Sequence, residues 1–490
     1  MQAAEATQLF QSDASLAVGR ERAAKAERTA HGAEHGHPIW IGKHASPLPA
    51  HDEADAPAPP VDVAALASRA AGADGGLVKV IAAHVPHASG THIWTAESGR
   101  VARATDLESG ACVQQLRAHT APVSALASLR VGAETLLFTA SWDKSICVWL
   151  AGDARAAPVL TVPDAASDFI KALHVDAAHQ CLVSGGSDRV VRVWDLAPLA
   201  EWAASPASRA AACPALRLLG AVRAHTRPVL ALTTLPPPPA GVAIAEGVAR
   251  GLCLFSGDSM GRILEVHVAL DGATRDAHCD VVRELDGHET GVHGMAPVWR
   301  LCADDTQATA DLWTTSADCS VRRFPLAAAG RRGTAPGRVS HAGAPLGRVP
   351  PVRADIVVPL RDAAKSVLPL GAVDDALQEL VLVGHASGAI DVWDVEEAPR
   401  LVRVLDAHWH EVSFLGAWAR ADGVVWLVSA SLDGTLRRWP LVRVVHGGGG
   451  GGAGGAAADA GGAGDAGGAG GAGVALTAEE EAELAALMDE

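Results

Sequence analysis

One phrase is spelled twice in the middle of this chain. Residues 137–150 read LFTASWDKSICVWL and residues 182–196 read LVSGGSDRVVRVWDL. Each passes from an apolar strand through small residues to an Asp, then along a second strand to a Trp six residues after that Asp. Apolar stretches on either side of a short polar turn predict an antiparallel hairpin. The two tryptophans, Trp149 and Trp194, lie about 45 residues apart. A repeat of that period, ending each time in the same Asp-to-Trp phrase, describes units that cannot bury both faces alone and must stack on one another.

Five fainter copies follow the same frame. The first spans 91–107, with Gly99 in the Asp place and Thr105 in the Trp place. The fourth spans 252–268 with Met260 and Val266, and the fifth 312–326 with Asp318 and Phe324. The sixth spans 381–395 with Ser387 and Trp393, and the seventh 427–441 with Asp433 and Trp439. A second marker precedes several copies: Ala118-His119, Ala224-His225, Gly287-His288 and Ala407-His408, each with a Val shortly after. This pattern resembles the WD40 repeat family, whose repeats begin near a Gly-His and end near a Trp-Asp, and the resemblance covers roughly residues 77–445. It implies an all-β fold, a seven-bladed WD40 β-propeller, with four-stranded blades stacked radially.

The resemblance also implies a structural tetrad in which imidazole, hydroxyl, carboxylate and indole hydrogen-bond in series. The full set is expected in the second copy (His119, Thr139 or Ser141, Asp143, Trp149) and in the seventh (His408, Ser429 or Ser431, Asp433, Trp439). The third copy has Asp188 and Trp194, with Asp168 near the place of the His. The fifth has His288 and Asp318, with Phe324 for the indole. The first, fourth and sixth copies lack the Asp, so their turns are expected to rest on strand pairing alone. A His beside an Asp suits acid–base chemistry, but the same pair recurring in several copies reads as stiffening, and no catalytic residue is assigned.

Composition excludes several classes. A net charge of −16 does not make the basic footprint of a general nucleic-acid binder. The eight cysteines are scattered singly without a C-x-x-C pair, which gives neither a disulfide framework nor a metal site by spacing. Five histidines between 31 and 51 lie in a Pro-containing polar stretch with no scaffold to preorganise them, so no metal and no cofactor is expected there. No apolar run is long enough to span a membrane, and the N-terminal residues do not make a secretory signal. Cytoplasm or nucleus is the expected location.

Residues 1–36 are expected to be a flexible or helical N-terminal segment, disordered in large part. Residues 37–76 form a linker with short apolar runs near 38–42 and 61–66, either of which could lend a strand to close the ring. The propeller occupies 77–445, a Gly/Ala linker 446–473, and an acidic amphipathic helix 474–490. Thr477 and Glu480 make a capping box for that helix, and Leu484, Leu487 and Met488 fall on one face. Three inserts break the period, at 197–215, 235–250 and 327–353, and are placed on the surface. The last carries Arg331, Arg332, Arg338, Arg348 and Arg353 without an acidic residue.

The expected function is a non-enzymatic scaffold or adaptor that binds other proteins through one propeller face and through the C-terminal helix. Its partner-binding candidates are Trp142, Lys144, Arg189, Arg227, Trp409 and His410 on that face and Leu484, Leu487 and Met488 in the tail, because aromatic and Arg side chains dominate interface hot spots. Trp142 ranks first, since an indole beside the turn Asp has no evident core to fill. Two alternatives remain open: a substrate receptor of a ubiquitin ligase, for which the Arg two residues after a Trp-Asp is missing (Leu196-Ala197, Val395-Glu396), and a subunit of an RNA-processing or ribosome-assembly complex. Neither a membrane nor a small-molecule substrate is expected as partner.

Overall fold

Seven sheets follow one another along the chain, each built on four antiparallel strands. Blades 1 to 6 span 80–116, 123–162, 170–222, 229–285, 292–359 and 364–406, and blade 7 joins the strands of 412–440 to one at 37–40; the blade 5 sheet has a fifth, parallel strand. The computed structural model describes residues 25, 37–40, 79–86, 90–153, 155–239, 241–244, 251–301, 307–326 and 352–446. Blade 2 shows the pattern: Val123–Val131, Glu134–Ser141, Ile146–Leu150 and Leu160–Val162, paired in that order. The first strands of the seven blades each touch the first strand of the next, from blade 1 to blade 7 and back to blade 1. They line the centre, and the closed circuit is a seven-bladed propeller.

The alternation of each strand decides why the blades stack. In blade 2, Leu136, Phe138, Ile146 and Val148 point to one side and Leu137, Cys147 and Trp149 to the other, and every one is buried. Both faces are apolar, so both must be covered by a neighbour. The buried side chains accordingly gather into seven clusters, one at each junction between blades. Each fully buried Leu, Val or Phe contributes about 1.5–3 kcal/mol.

Ring closure uses the N-terminal segment. His37–Trp40 pairs antiparallel with Thr435–Pro440, in the register His37 with Arg438 and Trp40 with Thr435. Of the two apolar runs expected to lend a strand, the one at 37–40 supplies it, and the run at 61–66 lies outside the described residues. After Pro440 the chain turns into a short helix, Leu441–His446, whose Leu441 and Val444 are buried.

Two inserts are more than surface loops. The first contains a helix, Ala197–Ala203, whose Leu199, Ala200 and Ala203 enter the core between blades 2 and 3. The second adds a parallel strand, Ala243–Ile244, against Gln307–Ala308 of blade 5, and its Pro236 carbonyl accepts the Trp299 indole N–H at 2.9 Å. Of the Arg-rich third insert only Val352 and Arg353 are among the described residues; Val352 bridges Leu285.

The inner strands carry half-buried imidazoles. His84 Nε2 lies 2.8 Å from the Ser128 hydroxyl of the next blade, and His174 Nε2 lies 3.0 Å from that of Thr234. Burial, with the nearby His174, lowers the pKa of His84 to about 4; burial lowers His174 to about 4 as well. Burial and then the charges of Lys365 and Lys171 lower His293 to about 3. An imidazole depressed in the folded state stabilises fully above its unfolded pKa, about 6.5, and loses that stability as the unfolded chain takes up protons below it. Stability is therefore expected to fall steadily from pH 7 to pH 4, by about 1–2 kcal/mol per imidazole at pH 5, and the melting temperature with it. A His84→Gln, His174→Gln pair should flatten the slope; an unchanged slope would remove these groups as its cause.

Candidate functional site

The turn after the second strand has the same construction in every blade. Its last residue takes a positive φ: Arg100 (61°), Lys144 (69°), Arg189 (64°), Gly261 (88°), Cys319 (59°), Gly388 (87°) and Gly434 (78°). An amide at the start of the turn reaches the carbonyl just before the blade's first strand. The seven bonds are Ser98 to Lys79, Trp142 to Pro122, Ser187 to Phe169, Ser259 to Pro228, Ala317 to Gly291, Ala386 to Ala363 and Leu432 to Glu411, all between 2.9 and 3.2 Å. These bonds bring the turns and the preceding loops onto one face of the ring.

Beneath that face lie the carboxylate networks. In blade 2 the Trp149 indole N–H donates to Thr139 Oγ1 at 2.9 Å. Thr139 Oγ1 lies 2.8 Å from His119 Nε2, and His119 Nδ1 lies 3.0 Å from Asp143 Oδ2. Asp143 also accepts the Thr120 amide at 2.8 Å and the Ser145 amide and hydroxyl. The series ties the loop before the blade, the second strand, the turn and the third strand into one unit, and Ser141 serves the turn by accepting the Asp143 amide.

Blade 7 has the His408–Asp433–Ser429 part of this series, at 3.0 and 2.7 Å. The Trp439 indole N–H, expected to join it, has no acceptor among the described residues. Burial disfavours the charge on Asp433, but the His408 imidazole and the Arg437 charge outweigh it and lower the carboxyl to about 2. In blade 5 His288 bridges Asp318 at 2.9 Å and Thr314 at 2.8 Å, with Phe324 buried in the indole's place.

Four blades reach the same end by other residues. In blade 4 Met260 does occupy the usual place of the Asp, yet the turn does not rest on strand pairing alone. Asp258, two residues earlier, takes His225 Nδ1 at 3.0 Å, and His225 Nε2 meets Ser256 at 2.8 Å. In blade 3 the cationic partner of Asp188 is Arg192, at 2.7 Å. Asp168 instead caps the Phe169 amide, and Trp194 donates to Ser184 at 2.9 Å. In blade 6 the Asp362 carboxylate of the preceding loop accepts the Ser387 amide at 2.6 Å. Blade 1 replaces the network by a buried ion pair, Arg103 to Glu97, with two bonds of 2.7 and 3.0 Å.

The face above these networks is not uniform. Trp142 is half-buried and stacks on Phe169 of the loop before blade 3, with ring centroids 5.7 Å apart and an interplanar angle of 24°. It therefore has a packing partner that the sequence did not reveal. Arg189 and Arg227 are exposed, Lys144 is half-buried, and Met260 is 57% exposed at the blade 4 turn. These residues occupy consecutive blades, 2 to 4. Trp409 and His410 stand apart on blade 7. His410 is buried, at 9% exposure, and its Nδ1 accepts the Glu411 amide, so it is not the exposed contact expected. Leu484, Leu487 and Met488 lie outside the described residues.

Two segments match the family profile described as WD domain, G-beta repeat (WD40), at residues 110–149 and 157–195. Each matched segment starts with the outer strand of one blade and ends with the third strand of the next. That stagger leaves the last blade one strand short, which the N-terminal strand supplies. No curated protein matches the chain.

Proposed function

From a protein of WD40 repeats closed into a seven-bladed β-propeller, we propose a non-enzymatic scaffold that holds a partner protein on the turn face of blades 2 to 4. The fold supports protein interaction in general, as is typical of such propellers. The specific reading rests on one observation: cationic side chains sit where the turn geometry favours glycine on three successive blades, Arg100, Lys144 and Arg189, and two of them flank an aromatic stack. Lys144 and Arg189 hold the positive-φ position that blades 4, 6 and 7 give to Gly261, Gly388 and Gly434. An L-residue there costs about 1 kcal/mol. A Cβ at Gly261 would stand 1.8 Å from the His288 carbonyl oxygen, and one at Gly388 2.2 Å from that of His408, so those blades have no choice. Blades 1, 2, 3 and 5 do, with Arg100, Lys144, Arg189 and Cys319; the cations of blades 2 and 3 are the ones that stand with the Trp142–Phe169 stack and the exposed Met260.

Stability and binding should then separate. Lys144→Gly and Arg189→Gly are expected to leave folding unchanged or raise it by about 0.5 kcal/mol, while the pair weakens partner binding about tenfold or more. Binding at the wild-type level in the double variant would sink the proposal. Trp142→Ala tests something else, since its loss also removes the stack on Phe169, about 1 kcal/mol beyond the area buried.

The tail 474–490, whose sequence pattern is that of an amphipathic helix, is a second docking element in this reading, with Leu484, Leu487 and Met488 as its apolar face. Cytoplasm or nucleus is the location proposed. No helix among the described residues is long and apolar enough to cross a membrane.

A further inference from the structure

Blade 4 departs from blade 2 at three equivalent places on one face. In blade 2 the strand pairs Leu136 with Leu150 and Phe138 with Val148. In blade 4 the matching pairs are Cys253 with His267 and Phe255 with Glu265. Where blade 2 has Leu136, Val148 and Leu150, blade 4 therefore has Cys253, Glu265 and His267. The fold accepts hydrocarbon at all three positions, so blade architecture does not call for a thiol, a carboxylate and an imidazole there.

Their donor atoms converge. Cys253 Sγ lies 3.7 Å from Glu265 Oε1, and His267 Nε2 lies 3.0 Å from the same oxygen. All three atoms fall within 4.8 Å of one another. A tetrahedral zinc ion holds sulfur at about 2.3 Å and nitrogen or oxygen at about 2.0–2.2 Å, which sets its ligands roughly 3.3–3.8 Å apart. We propose that Cys253, Glu265 and His267 form a mononuclear site for a divalent zinc-type cation, with the fourth position open on the side of His267.

The surroundings suit that role. Cys253 and Glu265 are buried, whereas the His267 side chain is 41% exposed and gives the ion an entry. Arg283 donates to the other carboxylate oxygen, Oε2, which leaves Oε1 aimed at the thiol and the imidazole. A partner on the far oxygen is how metal-ligating carboxylates are oriented. Asp280 stands opposite His267 on the next strand, and its carboxylate meets His278 Nε2 at 3.1 Å. Binding costs one proton in total. The thiol of Cys253 releases its proton as the S–metal bond forms, and a neutral His267 moves its proton from Nε2 to Nδ1 so that Nε2 can ligate.

Cobalt(II) titration of the full chain under reducing conditions tests this. One Co(II) per chain should bind with a thiolate-to-cobalt charge-transfer absorption, and Zn(II) should displace it. Cys253→Ser should abolish the charge-transfer absorption, and His267→Gln, at a half-exposed position, should weaken binding tenfold or more while the protein stays folded. The histidines of 31–51 cannot produce a thiolate absorption, so binding there is told apart. Absence of that absorption in the wild type, its survival in Cys253→Ser, or unchanged affinity in His267→Gln would each overturn the site.

Discussion

Removing residues 1–40 should open the ring. Blade 7 would lose its fourth strand, His37–Trp40, and Thr435–Pro440 would become an edge with unpaired amides and carbonyls. The loss of the ladder alone is about 0.5–1.5 kcal/mol per hydrogen bond, or roughly 2–4 kcal/mol in all. The larger consequence is the exposed edge, which invites pairing with another chain. The truncated protein is expected to unfold at markedly lower urea and to run partly as oligomers in size-exclusion chromatography. An unchanged unfolding midpoint with a monomeric profile would show that the ring closes without this strand.

The second large effect is expected at Asp433. Its carboxylate takes His408 Nδ1 at 3.0 Å, the Trp409 amide at 3.3 Å, and the Thr435 amide and hydroxyl at 2.9 and 2.6 Å. Asp433 and His408 are both fully buried. Replacing the carboxylate by a methyl group strands these donors, and breaking such a buried pair costs about 3–5 kcal/mol. Asp433→Ala should therefore lose a large share of the about 5–15 kcal/mol that stabilises a typical domain. The indoles give a paired control. Trp149 donates to Thr139, so Trp149→Phe should cost about 1–2 kcal/mol beyond its volume. Trp439 has no such acceptor among the described residues, and Trp439→Phe should cost only its lost packing. Equal losses at the two positions would mean that the blade 7 indole finds a partner in solution. On the acid side, the depressed Asp433 carboxyl stabilises above the unfolded value of about 3.8. That contribution, about 2 kcal/mol, disappears as pH falls toward about 2.

What the sequence revealed was whatever is local to one hairpin. Asp143 and Trp149, or Asp188 and Trp194, share a turn and its following strand, so their spacing is fixed by strand geometry. What it hid depends on contacts between segments. Asp258 supplies blade 4's carboxylate from two residues before the expected place. It does so because the imidazole it serves, His225, arrives from a separate loop and accepts any carboxylate within reach. Arg192 does the work of a histidine in blade 3 because a longer side chain reaches Asp188 from the next strand. The Trp142–Phe169 stack joins two blades, and no local pattern reports it. The helix Ala197–Ala203 reads as an Ala- and Pro-containing insert until its Leu199 is seen in the core. Cys253, Glu265 and His267 are spread over 15 residues and become neighbours only when their hairpin closes. The candidate contacts were legible by residue type alone, and burial then sorted them: Arg189 and Arg227 stay exposed, His410 does not.

The most direct measurement is the footprint of a bound partner by amide hydrogen exchange on the full-length protein. Protection gained on binding is expected in the turns and loops at 142–144, 167–169, 187–189, 226–228 and 259–261, with the turns of blades 5 and 6 unchanged. Protection confined to the opposite rim or to the outer strands, with those turns exchanging as in the free protein, would contradict a partner site on blades 2 to 4.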